Sequence, residues 1–202
     1  MSEVKILEQT ATGEVDDSAQ VPRTAKWLTC LIEVMILALG LVLIIMLRVG
    51  VYEPAYIPSG SMENTFQIGD RVLIDHRASL HEKWKRGDII IFEAEGDWGK
   101  DDTLTKRVIG LPGERIELMG GQVYINGKML AENYLKETPE AQDGLATLLA
   151  PGEYYVLGDN RNHSDDSRFN GPVKDEQIRG RAVSIFYPLG RAGRLASPEY
   201  NQ

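Results

Sequence analysis

The sequence predicts one transmembrane helix followed by a single domain that is mainly β and is folded around curled antiparallel sheets. Three observations support this prediction: an apolar run over residues 27–47, short runs rich in Val, Ile, Tyr and Phe from residue 66 onward, and tight-turn pairs between some of those runs. The chain has 202 residues, and the part beyond the helix is long enough to bury one core.

The apolar run from Trp27 to Leu47 is interrupted only by Thr29 and Glu33. As a helix it would span about 31 Å at about 1.5 Å per residue, which matches the hydrocarbon core of a bilayer. A cleaved signal peptide is the alternative, but the run is too long for one, and residues 49–51, Val-Gly-Val, make a poor cleavage site. We therefore expect a retained helix in contact with membrane lipid.

The charges around this helix predict its orientation. Arg23 and Lys26 precede it and Arg48 follows it, a small positive excess on the amino-terminal side, which favours a cytoplasmic amino terminus. Residues 1–26 would then form a cytoplasmic tail, and residues 48–202 an extracytoplasmic, β-rich domain. The chain has a net charge of −8 and no basic stripe, which argues against a nucleic-acid partner.

The strands of the domain are predicted from runs of β-branched and aromatic residues. These runs are residues 71–75, 88–93, 104–109, 115–119, 122–125, 153–157 and 180–187. The pairs Gly120-Gly121 and Asn126-Gly127 are typical of tight hairpin turns. Residues 131–150 are predicted to form an inserted surface loop, with a short helix around Leu145–Leu149.

Two serines lie one residue apart in the segment 57–62, Ile-Pro-Ser-Gly-Ser-Met. If the segment is extended, the side chains of Ser59 and Ser61 point the same way, so two hydroxyls could face one substrate. A serine hydroxyl becomes an effective nucleophile when a neighbouring base takes its proton. The alternative is a turn serine, which is the ordinary role of serine in a Pro-Ser-Gly-Ser tetrapeptide.

Lys106 is the candidate base. The alternation of a strand places it on the same face as Leu104 and Val108. A lysine acts as a base only when burial holds its amine neutral, and these apolar neighbours favour that setting. The alternative is a solvated lysine on a strand surface.

Short polar side chains fill residues 158–168, Gly-Asp-Asn-Arg-Asn-His-Ser-Asp-Asp-Ser-Arg. The order is wrong for a calcium loop, because Arg161 falls at the third position and no glycine at the sixth. A hydrogen-bonded loop stays open as an interpretation. So does a triad of Ser61, His163 and a neighbouring aspartate, although residues adjacent in sequence rarely orient one another correctly for catalysis. We expect no metal and no organic cofactor.

Four sequence blocks occur in order: Pro-Ser-Gly-Ser-Met at 58–62, Gly-Asp-Ile-Ile-Ile-Phe at 87–92, Lys-Arg-Val-Ile-Gly-Leu-Pro-Gly at 106–113, and Gly-Asp-Asn-Arg at 158–161 followed by Ser164, Asp166 and Arg168. Together they resemble the bacterial type I signal peptidases, the membrane-anchored Ser-Lys proteases that remove signal peptides from exported proteins. The resemblance covers about residues 27–190. The single anchor and short domain are similar to the Gram-positive form.

The resemblance implies roles for individual residues. Ser61 is expected to be the nucleophile and Lys106 the general base. Ser59 is expected to stabilise the oxyanion with its hydroxyl, beside the main-chain N–H of Ser61. Ser164 is expected to hydrogen-bond Lys106.

The resemblance also implies a bracing pair and a substrate. Asp166 and Arg168 are expected to pair and support the site. Ile57, Pro58 and Met62 are expected to contact a pre-protein whose signal peptide ends in an Ala-x-Ala site and lies beside them as an extended strand.

Three residues depart from the family's common pattern: Asn64 replaces a proline, Asn162 an aspartate and His163 an asparagine. We expect a slightly looser loop at Asn64 and a missing ion pair at Asn162. Two other functions remain: a self-cleaving Ser-Lys protein of the SOS-repressor kind, which would need a DNA-binding motif in place of the anchor, and an inactive membrane-tethered binding or scaffold module, which the intact serine and lysine argue against.

Overall fold

The computed structural model describes residues 23–49, 51–77, 84–95, 98, 103–196, 198 and 200. The chain divides into two compact units, one ending at Met46 and the other beginning at Leu47. Residues 1–22 of the predicted cytoplasmic tail lie outside the described residues.

The described part of the first unit is helical: it belongs to α1 (Arg23–Val49), whose last three residues lie in the second unit. Its stretch Trp27–Ile45 has a mean hydropathy of 2.8 and is long and apolar enough to cross a membrane. Large apolar side chains along it are exposed, for example Met35 at 71% and Leu37 at 73%, a pattern typical of a membrane-spanning helix rather than of a core helix. The predicted apolar helix is therefore confirmed, and its insertion into a membrane stays a prediction.

The second unit is mainly antiparallel β, as predicted. Its strands are β1 (Tyr52–Tyr56), β2 (Arg71–Asp75), β3 (Ile89–Glu93), β4 (Thr103–Gly110), β5 (Arg115–Met119), β6 (Gln122–Ile125), β7 (Lys128–Met129), β8 (Gly144–Leu148), β9 (Glu153–Leu157), β10 (Val173–Lys174), β11 (Ile178–Tyr187) and β12 (Gly193–Arg194), with a short helix α2 (Ser167–Asn170) before β10. Within the described ranges they form an eight-stranded sheet, β1-β2-β11-β3-β4-β9-β10 with β12 paired to β11, and a four-stranded sheet, β7-β6-β5-β8.

The larger sheet curls at β11. This strand pairs with both β2 and β3, and its register shifts between Ala182 and Ser184 and again between Ile185 and Tyr187. Irregularities of this kind bend a strand and increase its twist. As a result, residues of β1 and β4 line one groove although β2, β11 and β3 separate these strands in the sheet.

Two buried clusters cover the opposite faces of β4. On one face, Ile109 packs with Leu157 of β9 and Ile116 of β5, so this cluster joins the two sheets. On the other face, Val108 packs in a cluster that includes Phe92 of β3. A side chain in the middle of β4 is therefore removed from water whichever way it points.

The prediction for residues 131–150 is wrong in its last part. Leu145, Leu148 and Leu149 have the spacing of a helix face, yet residues 144–148 form β8, paired with β5. Leu145 is 93% and Leu148 72% exposed, and only Leu149 is buried. The strand forms because it gives partners to the backbone groups along the edge of β5, which a helix here would leave unpaired.

Strand β1 is missing from the predicted strands, and it forms an edge of the larger sheet. His76 N donates to Val51 O and Ile57 N donates to Asp70 O at the two ends of the β1–β2 pairing. Since hydrogen-bonded pairs alternate along an antiparallel ladder, Pro54 lies at a non-bonded pair. Its missing N–H therefore faces away from β2 and removes no ladder bond.

Candidate active site

The loop of residues 57–70 joins β1 to β2 and carries both serines. Hydrogen bonds of 2.9 Å from Ile57 N to Asp70 O and from Gly69 N to Ile57 O close its base. The Asp70 carboxylate accepts from Gln67 N at 2.8 Å and from Arg191 Nη2 at 3.0 Å. These hydrogen bonds close the base of the loop and attach it to Arg191, which lies shortly after β11.

Apolar side chains anchor this loop and leave its serines at the surface. Ile57, Met62 and Phe66 are buried in a cluster against the larger sheet. Ser59 between them is exposed and Ser61 is half-buried. The alternation of buried and open positions therefore presents both hydroxyl-bearing residues towards solvent, where a substrate could reach them.

Lys106 is buried in β4, with 3% of the residue exposed. The predicted apolar setting is confirmed, because Val108 and Leu104 belong to the cluster on one face of the strand. Burial lowers the pKa of the Lys106 ammonium below its ordinary value, and the carboxylates of Asp166 and Asp165 oppose this lowering. Desolvation dominates, so the amine is easier to deprotonate than that of an exposed lysine.

Four residues line both of two adjoining cavities: Ser59, Ser61, Leu104 and Lys106. The long groove, of about 440 Å³, extends along β1, residues 57–59 and the start of β4, and includes the predicted substrate contacts Ile57, Pro58 and Met62. The polar cavity, of about 580 Å³, is also lined by Glu63 and Lys136. The candidate nucleophile and base therefore lie where two cavities meet.

Ser164 lies close behind the serine loop, with Gly158 between them. A Cβ on Gly158 would lie 2.2 Å from Ser164 Oγ and 2.5 Å from Ser61 O, so only glycine permits this approach. Ser164 is 9% exposed, and its hydroxyl makes no hydrogen bond within the described part of the chain. The expected hydrogen bond to Lys106 is therefore not formed here, and the role of Ser164 stays a prediction.

The expected pair between Asp166 and Arg168 is present. Arg168 Nε lies 2.8 Å from Asp166 Oδ1, and Nη2 lies 3.0 Å from Oδ2. Asp166 Oδ2 also accepts from Gly158 N at 3.0 Å, and Arg168 Nη2 donates to Arg161 O at 2.7 Å. The pair thus cross-links the polar segment 158–168 within itself.

Arg107 and Asp159, to which the sequence pattern assigns no role, form a buried ion pair. Arg107 Nη2 lies 2.6 Å from Asp159 Oδ2, with side chains 2% and 0% exposed. Thr65 of the serine loop donates to the same oxygen at 2.5 Å, and the Arg107 guanidinium lies over the Tyr134 ring at 4.2 Å. Burial alone would lower the pKa of Arg107, but the pairing with Asp159 raises it above its ordinary value. The sequence indicates this pair only weakly: Arg107 lies in the block at 106–113 and Asp159 in the block at 158–161.

Asn160 was also missed. Its backbone N–H donates to Ser61 O and its side-chain Nδ2 donates to Gly60 O, each at 3.0 Å. The Gly60 carbonyl and the Ser61 N–H belong to one planar peptide unit. Fixing the carbonyl therefore fixes the direction in which the Ser61 N–H points.

Asn64 holds its loop in place, contrary to the expectation of a looser loop. Its φ is 93°, a conformation that the ring of proline, with φ near about −65°, cannot adopt. Its Nδ2 donates to Tyr134 O at 3.0 Å and to Leu135 O at 3.3 Å. The asparagine therefore fastens the serine loop to the segment around residues 134–135.

The other two departures also have defined surroundings. Asn162 Oδ1 accepts from Glu140 N at 2.9 Å, and Nδ2 donates to Thr138 O at 3.3 Å, so this position keeps contacts to a neighbouring segment. The His163 side chain is 73% exposed, with Nδ1 at 4.0 Å from Glu137 Oε1, which gives no support to a triad. Among the described residues, no group of three or more His, Cys, Asp or Glu side chains could hold a metal ion.

Comparisons with known proteins agree on one family. A family profile described as "Signal peptidase, peptidase S26" matches residues 28–187. The chain is 41% identical over 167 residues to a signal peptidase I from Leptolyngbya laminosa, covering 80% of this chain and 82% of that protein. It is 40% identical over 195 residues to a probable signal peptidase I-2 from Synechocystis sp., covering 94% of this chain and 86% of that one.

A Bacillus and an Enterococcus protein are also similar. The chain is 36% identical over 177 residues to signal peptidase I U of Bacillus subtilis, covering 83% of this chain and 91% of that protein. A crystal structure of a signal peptidase I from Enterococcus faecalis matches with a TM-score of 0.43 at 38% identity, covering 50% of this chain and 97% of that one.

The geometry of Asn64 leads to a stability prediction. We expect Asn64→Pro to destabilise the domain by about 1–3 kcal/mol more than Asn64→Gly does, because both variants lose the side-chain hydrogen bonds but only proline cannot adopt the positive φ. Asn64→Gly is the matched control: it keeps the backbone conformation and loses only the two side-chain hydrogen bonds, worth about 1 kcal/mol each. Thermal unfolding of the three proteins in the same detergent would compare them, and a proline variant as stable as wild type would contradict the loop conformation.

Proposed function

Because the chain belongs to the signal peptidase family, peptidase S26, we propose that it is a membrane-anchored serine endopeptidase that removes signal peptides from exported pre-proteins with a Ser61–Lys106 dyad. The observation that carries the dyad is the buried Lys106, whose pKa burial lowers and which lines both cavities together with Ser61. A neutral amine in this position is the base that a serine hydroxyl needs.

In the proposed acylation step, the neutral Lys106 amine takes the hydroxyl proton of Ser61 as Oγ bonds to the scissile carbonyl carbon. The Ser61 N–H and the Ser59 hydroxyl stabilise the oxyanion. The hydrogen bond from Asn160 to Gly60 O supports this assignment, since it holds the peptide plane that contains the Ser61 N–H. The proton then passes from Lys106 to the leaving amine as the C–N bond breaks.

In the proposed deacylation step, Lys106 takes a proton from a water molecule as its oxygen attacks the acyl carbon. The ester bond to Ser61 breaks, and Ser61 Oγ receives the proton from Lys106. Ser164, Asp166 and Arg168 act as positioning residues in this scheme. Asp166 is suited to that role because it is fully buried and binds both Arg168 and the backbone of Gly158.

The proposed substrate lies in the long groove. Ile57 and Met62 are buried and Pro58 is exposed, so these three side chains give the groove an apolar lining in the part that also contains Ser61. A groove of this kind suits the small, uncharged residues of an Ala-x-Ala site. No cofactor takes part in the proposed reaction.

We further propose that α1 anchors residues 48–202 as an extracytoplasmic peptidase domain, with residues 1–26 in the cytoplasm. The support is the apolar stretch Trp27–Ile45 and the positive residues Arg23 and Lys26 before it. A membrane anchor would keep the enzyme at the surface where translocated pre-proteins emerge.

The dyad predicts a clear difference between the two serines. Ser61→Ala should abolish cleavage of a pre-protein with an Ala-x-Ala site, because the nucleophile is lost. Ser59→Ala should lower kcat by roughly 10²–10³-fold through loss of one oxyanion donor. Turnover should be measured together with thermal unfolding. Cleavage by folded Ser61→Ala protein at the wild-type rate would eliminate the proposed mechanism.

The lowered pKa of Lys106 predicts the pH dependence. The working form is the neutral amine, so kcat/KM should rise with pH through the pKa of Lys106, at a pH below the value of about 10.4 that is usual for exposed lysine. His163→Ala should keep this rising limb, and Lys106→Ala should lose the activity. The reverse pattern in the two variants would transfer the role of base to the histidine.

The proposed anchor predicts the behaviour of a shortened protein. A protein beginning at Val51 should lose membrane association and still cut a soluble Ala-x-Ala peptide, because the proposed catalytic residues all lie beyond this point. Detergent is expected to help keep this protein soluble, because apolar side chains in the stretch that leads up to Ile57 are exposed to water once the membrane is absent. A folded but inactive shortened protein would show that the helix contributes to catalysis itself.

A further inference from the structure

The two cavities that meet at Ser61 differ in how their charges are balanced. Apolar side chains such as Ile57, Ile74 and Ile91 line the long groove together with charged side chains that pair with one another, Glu53 with His76 and Glu93 with Arg179, whereas Glu63, Lys136 and Asp165 line the polar cavity. This inference rests on the proposed function. A peptide that crosses Ser61 with its uncharged signal end in the groove then places the first residues of its mature end in the polar cavity.

One carboxylate of the polar cavity forms no ion pair with any residue that the structure describes. Lys136 Nζ lies 2.5 Å from Glu63 Oε2, so these two charges largely cancel. Asp165 also lines the cavity and is exposed. It accepts a hydrogen bond from the neutral amide of Asn170 at 2.6 Å, and no cationic side chain in the described part of the chain pairs with it.

We propose that Asp165 is a specificity-determining residue that reads the charge of the first residues of the mature protein, favouring a basic side chain there and disfavouring an acidic one. The charge of Asp165 also reaches the catalytic centre. Burial lowers the pKa of Lys106, and Asp165 is one of the carboxylates that oppose this lowering. A substrate side chain in the cavity is therefore within the range of the same field.

The Glu63–Lys136 pair permits a second substitution with the opposite expected effect. Removing the charge of Asp165 should weaken the preference for a basic residue. Removing the charge of Lys136 should strengthen it, because Glu63 is then unbalanced as well. A single charge across a solvated cavity changes binding by about 3- to 10-fold, and screening by salt should reduce the effect.

The experiment uses the full-length enzyme in detergent and peptides with one Ala-x-Ala signal end, differing only in Lys, Gln or Glu at the second residue after the cut. The measured quantity is the ratio of kcat/KM for the Lys peptide to that for the Glu peptide. Within one variant, this ratio cancels any change in the chemistry of Lys106. Asp165→Asn keeps the oxygen that accepts from Asn170, so it removes little besides charge.

Wild type should prefer the Lys peptide by about 3- to 10-fold at low salt. Asp165→Asn should bring the ratio close to one, and Lys136→Gln should raise it. The control Glu176→Gln removes an equal charge from an exposed position away from both cavities and should leave the ratio unchanged. The preference should also shrink in concentrated salt.

A ratio that is the same in wild type, Asp165→Asn and Lys136→Gln would overturn the inference, as would a preference for the Glu peptide that Asp165→Asn does not change. Cleavage of the Gln peptide separates this failure from failure of the proposed function. If Ser61 is required for that cleavage while the ratios stay flat, only the reading of charge is refuted. If Ser61 is not required, the proposed mechanism is refuted as well.

Discussion

Two consecutive basic side chains, Lys106 and Arg107, are buried on opposite faces of β4. The arrangement of the site depends on whether a carboxylate compensates the charge of each. Arg107 receives a buried carboxylate partner, Asp159, and the pairing raises its pKa. Lys106 lies on the same face of β4 as Leu104 and Val108, which belong to an apolar cluster, and burial lowers its pKa. Removing water from a charge is costly unless a partner replaces it. One strand thus holds a permanent cation beside a lysine that can give up its proton.

The Arg107 guanidinium holds together the segments that surround Lys106. Asp159 binds Arg107 and also Thr65, so the ion pair joins β4, the serine loop and the start of the segment 158–168. Asn160, next in the chain, then holds the Gly60 and Ser61 carbonyls. Removing one partner of such a buried pair usually costs about 3–5 kcal/mol. The groups that position Ser61 are therefore coupled to the stability of the domain and do not depend on one flexible contact.

Much of the fold and the candidate dyad could be predicted, because both depend on local patterns. The alternation along 104–109 placed Lys106 between apolar neighbours, the Ser-x-Ser spacing drew attention to Ser59 and Ser61, and the family resemblance supplied their expected roles. The helix assigned to Leu145–Leu149 failed because the edge of β5, distant in sequence, decides that segment. The positive φ of Asn64 and the hydrogen bonds from Asn160 to the serine loop also depend on residues distant in the sequence. Neither feature produces a periodic sequence pattern.

Pro54 in the edge strand β1 affects how the protein behaves in solution. An exposed sheet edge offers a row of free N–H and C=O groups to which a strand of another molecule can pair. In β1 the outward-facing positions alternate with those bonded to β2, and the middle one is a proline, which has no N–H to offer. A second copy pairing here would leave a gap in its hydrogen-bond ladder. The proline therefore disfavours self-association through the β1 edge at high protein concentration.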